Sequence, residues 1–197
     1  RAAAGAGSVQ QMSMNFILTG NPGTGKTSIA RKMGEVLQAM DILPTSRVIE
    51  SSRATLVGKY MGETPKIVNN MCDKAMGGIL FIDEAYTLSD GGDMYGKEAI
   101  DTLMKRMEDD RGKFVVIAAG YKDKMDEFMQ INPGLASRFT HKLQIDDYNE
   151  DELLAIFKGM AQKDQYTLSP EAEFKLLDKI YRMVVSKNEN WGNAREM

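Results

Sequence analysis

The sequence predicts an α/β protein: a five-stranded parallel sheet with helices on both faces, followed by a small all-helical domain. Three observations carry this reading. Short apolar runs alternate with helical patterns as far as residue 147, the signature of parallel strands buried between helices. A glycine-rich loop of phosphate-binding spacing joins the first apolar run to the first helical stretch. Beyond residue 147 the strand signal stops and only helical patterns remain.

Residues 15–19 (Asn-Phe-Ile-Leu-Thr) read as the first strand, and residues 28–40 repeat apolar positions at helical spacing until Pro44 interrupts them. Residues 47–50 form a short second strand. Thr64-Pro65 opens a helix running to residue 76, since proline suits the first helical turn, and Gly77-Gly78 breaks it. Residues 79–82 (Ile-Leu-Phe-Ile) are a buried third strand, 96–107 a helix, and 114–119 a buried fourth strand. Residues 122–129 form a short helix and 142–145 the fifth strand. Two helices follow over 149–163 and 169–186, the second opened by Ser169-Pro170-Glu171, a cap and a first-turn proline. The expected division is 14–147 for the α/β domain and 148–197 for the helical one. Residues 1–13, small and without an initiator Met, read as a linker or expression remnant. The chain stops at Met197 inside a helical pattern, so the helical domain is expected to be C-terminally incomplete.

Composition narrows the function classes. The chain is 43% hydrophobic and 27% charged, ordinary for a globular protein. A net charge of −3 with scattered basic residues argues against a nucleic-acid partner. Cys72 stands alone, which rules out an intrachain disulfide or a multi-cysteine metal site and fits a reducing, cytoplasmic setting. No apolar run approaches the roughly 20 residues that span a bilayer, so no membrane partner is expected.

The chemistry starts at Gly20-Asn21-Pro22-Gly23-Thr24-Gly25-Lys26-Thr27, with Ser28 opening the helix behind it. The glycines let backbone N–H groups converge on phosphate oxygens, and the helix N-terminus adds partial positive charge. Lys26 is placed to reach the β- and γ-phosphates, and the Thr27 hydroxyl to ligate Mg²⁺. A second signal is Asp83-Glu84 at the tip of the third strand. With a phosphate loop in the same chain, Asp83 is placed to hold Mg²⁺ through water, and Glu84 to orient or deprotonate an attacking water.

These residues, with Asn132-Pro133-Gly134-Leu135-Ala136-Ser137-Arg138-Phe139, resemble an AAA+ P-loop ATPase. The stretches Leu56-Val57-Gly58-Lys59-Tyr60-Met61-Gly62-Glu63-Thr64 and Gly77 through Tyr86 resemble one subgroup: the red-type Rubisco activases, the stage V sporulation protein K proteins and the type VII secretion ATPases. The resemblance implies ATP and Mg²⁺ as cofactors, assembly of the chain with itself into a ring, a hexamer, and a protein substrate, in the cytoplasm or a plastid stroma. Arg138 matches the arginine finger that reaches the nucleotide of the neighbouring subunit; an intrachain salt bridge is the other reading. Arg195, in Gly192-Asn193-Ala194-Arg195, matches the sensor 2 arginine of the helical lid. Tyr121 stands at the sensor 1 position, where the family often has Asn or Thr. Lys59, Tyr60 and Met61 match the pore loop that grips polypeptide, unless Tyr60 folds back onto the surface. Residues 89–93 resemble a second pore loop, or else form an ordinary mobile connection.

Other features point to structure. His141 suits edge packing, the 15 methionines read mostly as core filler, and Glu108-Asp109-Asp110 as a solvated helix end. The leading expectation is an ATP-hydrolysing, ring-forming remodelling motor. The alternative is a scaffold whose ATP state sets its assembly. A small-molecule kinase fits neither the Arg138 loop nor the Tyr60 loop.

Overall fold

The computed structural model describes residues 14–131, 133–187 and 191–197. The linker expectation for residues 1–13, and Asn132, lie outside the described residues.

Five strands form one sheet: β1 (Phe16–Thr19), β2 (Val48–Ser51), β3 (Ile79–Ile82), β4 (Val115–Gly120) and β5 (His141–Gln144). Their order is β2-β3-β4-β1-β5, and every neighbouring pair is parallel. The register sets Ile17 beside Ala118 and Ala118 beside Ile82. The carboxyl ends of β1, β4 and β3 therefore open side by side, where α/β sheets bind ligands. Three functional segments leave the sheet there: the glycine loop after β1, Asp83-Glu84 after β3 and Tyr121 after β4.

Alternation along the strands builds two cores. Phe16, Leu18, Phe81 and Ile117 face α1 (Lys26–Ala39), which contributes Ala30 and Leu37. Ile17, Leu80, Ile82 and Val116 face the other way, in one cluster with residues of three helices. These are α3 (Glu63–Ala75), α4 (Met94–Asp109) and α5 (Lys122–Ile131), and they add Val68, Cys72, Leu103 and Phe128. Past β5, α7 (Glu150–Lys163) and α8 (Pro170–Val185) pack Leu153, Leu154 and Ile180 with Trp191 into a third, smaller core.

Two helices were not foreseen: α2 (Arg53–Leu56) and α6 (Pro133–Ala136), each four residues and too short to show a helical period. Helix α4 begins at Met94, two residues before the expected start, because the Asp93 carboxylate caps it by accepting from the Gly96 N–H at 2.6 Å. The acidic run at its end is not simply solvated. Asp110 is largely buried between Arg106 (2.7 Å) and Lys113 (2.9 Å). The hydrogen bond from Lys113 and then Arg106 hold its carboxyl below the usual range, against burial. The methionines divide: Met107, Met125 and Met129 are core, while Met40, Met61, Met94 and Met160 stand exposed. His141 lies on the edge strand with its ring 4.9 Å from that of Phe16. Among the described residues no helix is long and apolar enough to cross a membrane.

Candidate functional site

A cleft of about 240 Å³ opens above the ends of β1, β3 and β4. Pro22, Gly23, Gly25, Lys26, Thr27 and Ser28 form one wall, Asp83 and Glu84 a second, and Tyr121 with Arg195 close it. Gly20, Asn21 and Thr24 complete the loop just behind that wall. Residues separated by up to some 170 positions thus meet around one space of a size suited to a phosphate chain.

The loop's shape follows from its glycines. Gly23 and Gly25 sit at φ +69° and +85°, the left-handed region where a side chain is strained. Gly25 is also the N-cap of α1, so the amides at that helix start are aimed at the cleft. The Lys26 ammonium donates to the Gly20 and Asn21 carbonyls at 2.9 Å each. Burial holds it below the ordinary lysine pKa, against the pull of Asp83; Arg195 adds to the lowering and Glu84 opposes it. A phosphate entering beside Lys26 would favour its charged form.

Across the cleft, the Glu84 N–H donates to Asp83 Oδ1 at 3.1 Å. Glu84 itself sits at φ +47°, an uncommon backbone for a non-glycine residue and one that concentrates at functional positions. The short 3₁₀ turn Ala85–Leu88 follows, and the Thr87 hydroxyl donates to the Glu84 carbonyl at 2.6 Å. Tyr121 places its ring centroid 5.9 Å from Lys26 Nζ and 6.0 Å from the Tyr86 ring. Burial, with Glu84 next, pushes the Tyr86 phenol up to about 12, so it stays neutral beside Tyr121. Tyr121 can supply a phenol hydroxyl where a shorter amide or hydroxyl side chain is expected.

The donor set fits a nucleotide with its cation. Convergent amides, Lys26 and Arg195 suit phosphate oxygens, while the Thr27 hydroxyl and Asp83 carboxylate are the hard oxygen ligands that Mg²⁺ takes. Among the described residues no other loop combines these groups.

Four sequence-predicted residues, Arg138 and the Lys59-Tyr60-Met61 loop, lie away from the cleft. Arg138 is largely buried against its own chain, donating from Nε to the Met104 carbonyl (3.2 Å) and from Nη1 to that of Gly134 (3.0 Å), with Glu108 at 3.5 Å. Tyr60 is 71% exposed and Met61 82%, beside an exposed Lys59, so the aromatic ring does not fold back. Its backbone is nevertheless pinned, because the N–H groups of Lys59 and Tyr60 both donate to Glu63 Oε2 at 3.1 Å.

Sequence reasoning missed the residues that tie the helical domain to the loop. Asp147 accepts from Asn21 (2.9 Å), Asn193 (2.9 Å) and Lys187 (3.2 Å). Burial raises its pKa, but these three hydrogen bonds outweigh it and hold the carboxyl below the ordinary range. Asn193 is fully buried at φ +50°. An Asn inside the Gly192-to-Arg195 motif, in a chain with an Asp at the domain boundary, was the only available hint.

The family model described as "ATPase family associated with various cellular activities (AAA)" matches residues 16–147, and the AAA lid domain matches 149–197. The chain belongs to the AAA ATPase family. Stage V sporulation protein K of Bacillus subtilis (strain 168) is 47% identical over 173 residues, which are 87% of this chain and 54% of that protein. The chloroplastic ribulose bisphosphate carboxylase/oxygenase activase of Cyanidioschyzon merolae is 44% identical over 186 residues, 93% of this chain and 63% of that protein. The chain thus spans somewhat over half the length of these curated relatives. The crystal structure of the FIGL-1 AAA domain in complex with ADP superposes with a TM-score of 0.60 at 16% identity, covering 86% of this chain and 56% of that one. That likeness establishes the shared fold, and the five-stranded AAA sheet with its helical lid agrees with it.

Proposed function

We propose that the chain is the ATP-hydrolysing core of a ring-forming AAA+ machine that rearranges a protein partner. The observation that carries this reading is the single cleft holding Lys26, Thr27, Asp83, Glu84 and Arg195. Lys26 and the loop amides bind the phosphates, Thr27 and Asp83 would hold Mg²⁺, and Glu84 takes the proton of the attacking water. Mg²⁺ held there would supply neutralisation of phosphate charge. The division at 147/148, supported by the two family matches, separates the domain that binds phosphate from the lid that closes over it.

Arg138 does not reach the cleft of its own chain, which supports a role in the cleft of a neighbouring copy, in a ring of six. The Tyr60 loop supplies an exposed aromatic on a pinned backbone, suited to gripping an extended chain. Its route to the cleft is physical. Arg53, in the helix leading to that loop, donates to the Thr87 carbonyl at 2.9 Å and pairs with Asp93. Thr87 in turn bonds the Glu84 carbonyl. The similarity to a Rubisco activase makes a Rubisco-type assembly the first partner to try. The reaction then belongs in the cytoplasm, or in the plastid stroma where that partner resides there.

Glu84→Gln is expected to keep ATP binding, lose at least about a hundredfold in turnover and accumulate the assembled ring. Arg138→Ala should lose about a thousandfold through the neighbouring site. Mixing the two variants should restore part of the activity, because some interfaces then combine an intact Glu84 with an intact Arg138. Undiminished turnover in Glu84→Gln sinks the catalytic assignment; a mixture with no recovery sinks the shared site. Assembly that follows ATP while turnover changes nothing downstream would favour the scaffold.

A further inference from the structure

The phosphate loop has six consecutive carbonyls, from Gly20 to Gly25, and their partners divide sharply. Those of Gly20 and Asn21 accept from Lys26, inside the loop. That of Gly25 accepts from the Ile29 N–H, inside α1. The three between them are all held from outside. The Pro22 carbonyl accepts from Asn193 Nδ2 at 3.1 Å. The Gly23 carbonyl accepts from the Ala194 N–H at 3.3 Å. The Thr24 carbonyl accepts from the Tyr148 hydroxyl at 2.9 Å. All three donors belong to the helical side of the chain.

In a planar trans peptide the C=O and N–H point in opposite directions. Fixing the Pro22, Gly23 and Thr24 carbonyls outward therefore turns the N–H groups of Gly23, Thr24 and Gly25 the other way, to the inner side of the loop. We infer that Asn193, Ala194 and Tyr148 are positioning groups that set the phosphate-binding amides from behind, so that lid docking and phosphate affinity are one linked equilibrium. This rests on the nucleotide reading above and adds the lid's backbone grip to it. Asn193 is the centre of the device. Its side chain also donates to Asp147 and accepts from the Tyr148 N–H at 3.1 Å, so one buried amide joins the loop, the domain boundary and the lid turn. Contact is close enough that a methyl group on Gly23 would lie 1.9 Å from the Gly192 carbonyl oxygen. Linkage then works in both directions: whatever moves the lid loosens the amides, and phosphate in the loop favours the docked lid.

The test uses the whole chain and ADP as the probe, with affinity measured by calorimetry and thermal midpoints read without nucleotide. Tyr148→Phe removes one hydroxyl, and Asn193→Gly keeps the left-handed turn while removing the amide. Neither side chain lines the cleft, so a loss of affinity has to act through the loop. Each variant is expected to weaken ADP binding by about tenfold, as loss of one hydrogen bond to the loop implies. ADP affinity within twofold of the parent in Tyr148→Phe, whatever happens to the midpoint, overturns the inference. Should Asn193→Gly fail to fold, Tyr148→Phe decides alone. A parent chain that does not bind ADP would instead overturn the nucleotide reading itself.

Discussion

Two glycine-rich loops of this protein are built alike and finished differently. The phosphate loop enters α1 through Gly25 at φ +85°, and the Tyr60 loop enters α3 through Gly62 at φ +76°, both left-handed N-caps without a side-chain cap. Behind the first, the lid is packed against backbone: a methyl on Gly25 would meet the Tyr148 hydroxyl at 3.0 Å, and one on Gly23 would collide with Gly192. A methyl on Gly62 would meet nothing within 4 Å. The same helix-entry geometry thus yields a site held rigid from behind in one case. In the other it yields a pinned turn that displays Tyr60 and Met61 to solvent. What a loop does here depends less on its own conformation than on what its outer side touches.

The largest effect that would break the comparison comes from Gly23→Ala. Left-handed strain of about 1–2 kcal/mol adds to the loss of the lid's hydrogen bonds, so ADP affinity should fall about a hundredfold or more by calorimetry. Next is a calibration far from both loops. Burial pushes the Cys72 thiol up to about 11 from 9.0. The unfolded thiol therefore ionises first, and the stabilisation is complete below pH 9 and lost as pH rises towards 11. Urea midpoints should drop between pH 8 and pH 11 by the equivalent of about 2–3 kcal/mol, less so in Cys72→Ala. Smaller still, Gly62→Ala should cost only the backbone strain, about 1 kcal/mol of stability, with ADP affinity unaltered. If it weakened ADP as much as Gly23→Ala, the contrast between the loops would be false. Smallest is Tyr60→Ala: a side chain this exposed should leave the thermal midpoint within about 2 °C while remodelling of the protein partner is lost.

Local patterns were legible. The buried strands before Gly20 and Asp83, the helix starts and the spacing of the phosphate loop all depend on neighbours within a few positions. The observed elements keep to those places within a residue or two. Helices α2 and α6 escaped because four residues carry no period. Asp110 was misread because its partners Arg106 and Lys113 turn the end of an ordinary acidic run into an ion-paired, largely buried corner. Arg138 could be recognised by its loop, but its resting place against Met104, Gly134 and Glu108 depends on how α4 lies across the sheet.

Residue order alone marks which segments carry chemistry: a loop for phosphate, two carboxylates behind a buried strand, an aromatic between glycines. It could do so because glycine, lysine and strand-end carboxylates signal their backbone needs locally. Long-range packing alone set β4 between β1 and β3, bringing Tyr121 against Lys26. It also decided that Tyr148 and Asn193 grip a loop more than 120 positions away. Hydrogen bonds across such separations depend on how whole domains pack, and a local pattern holds no record of that.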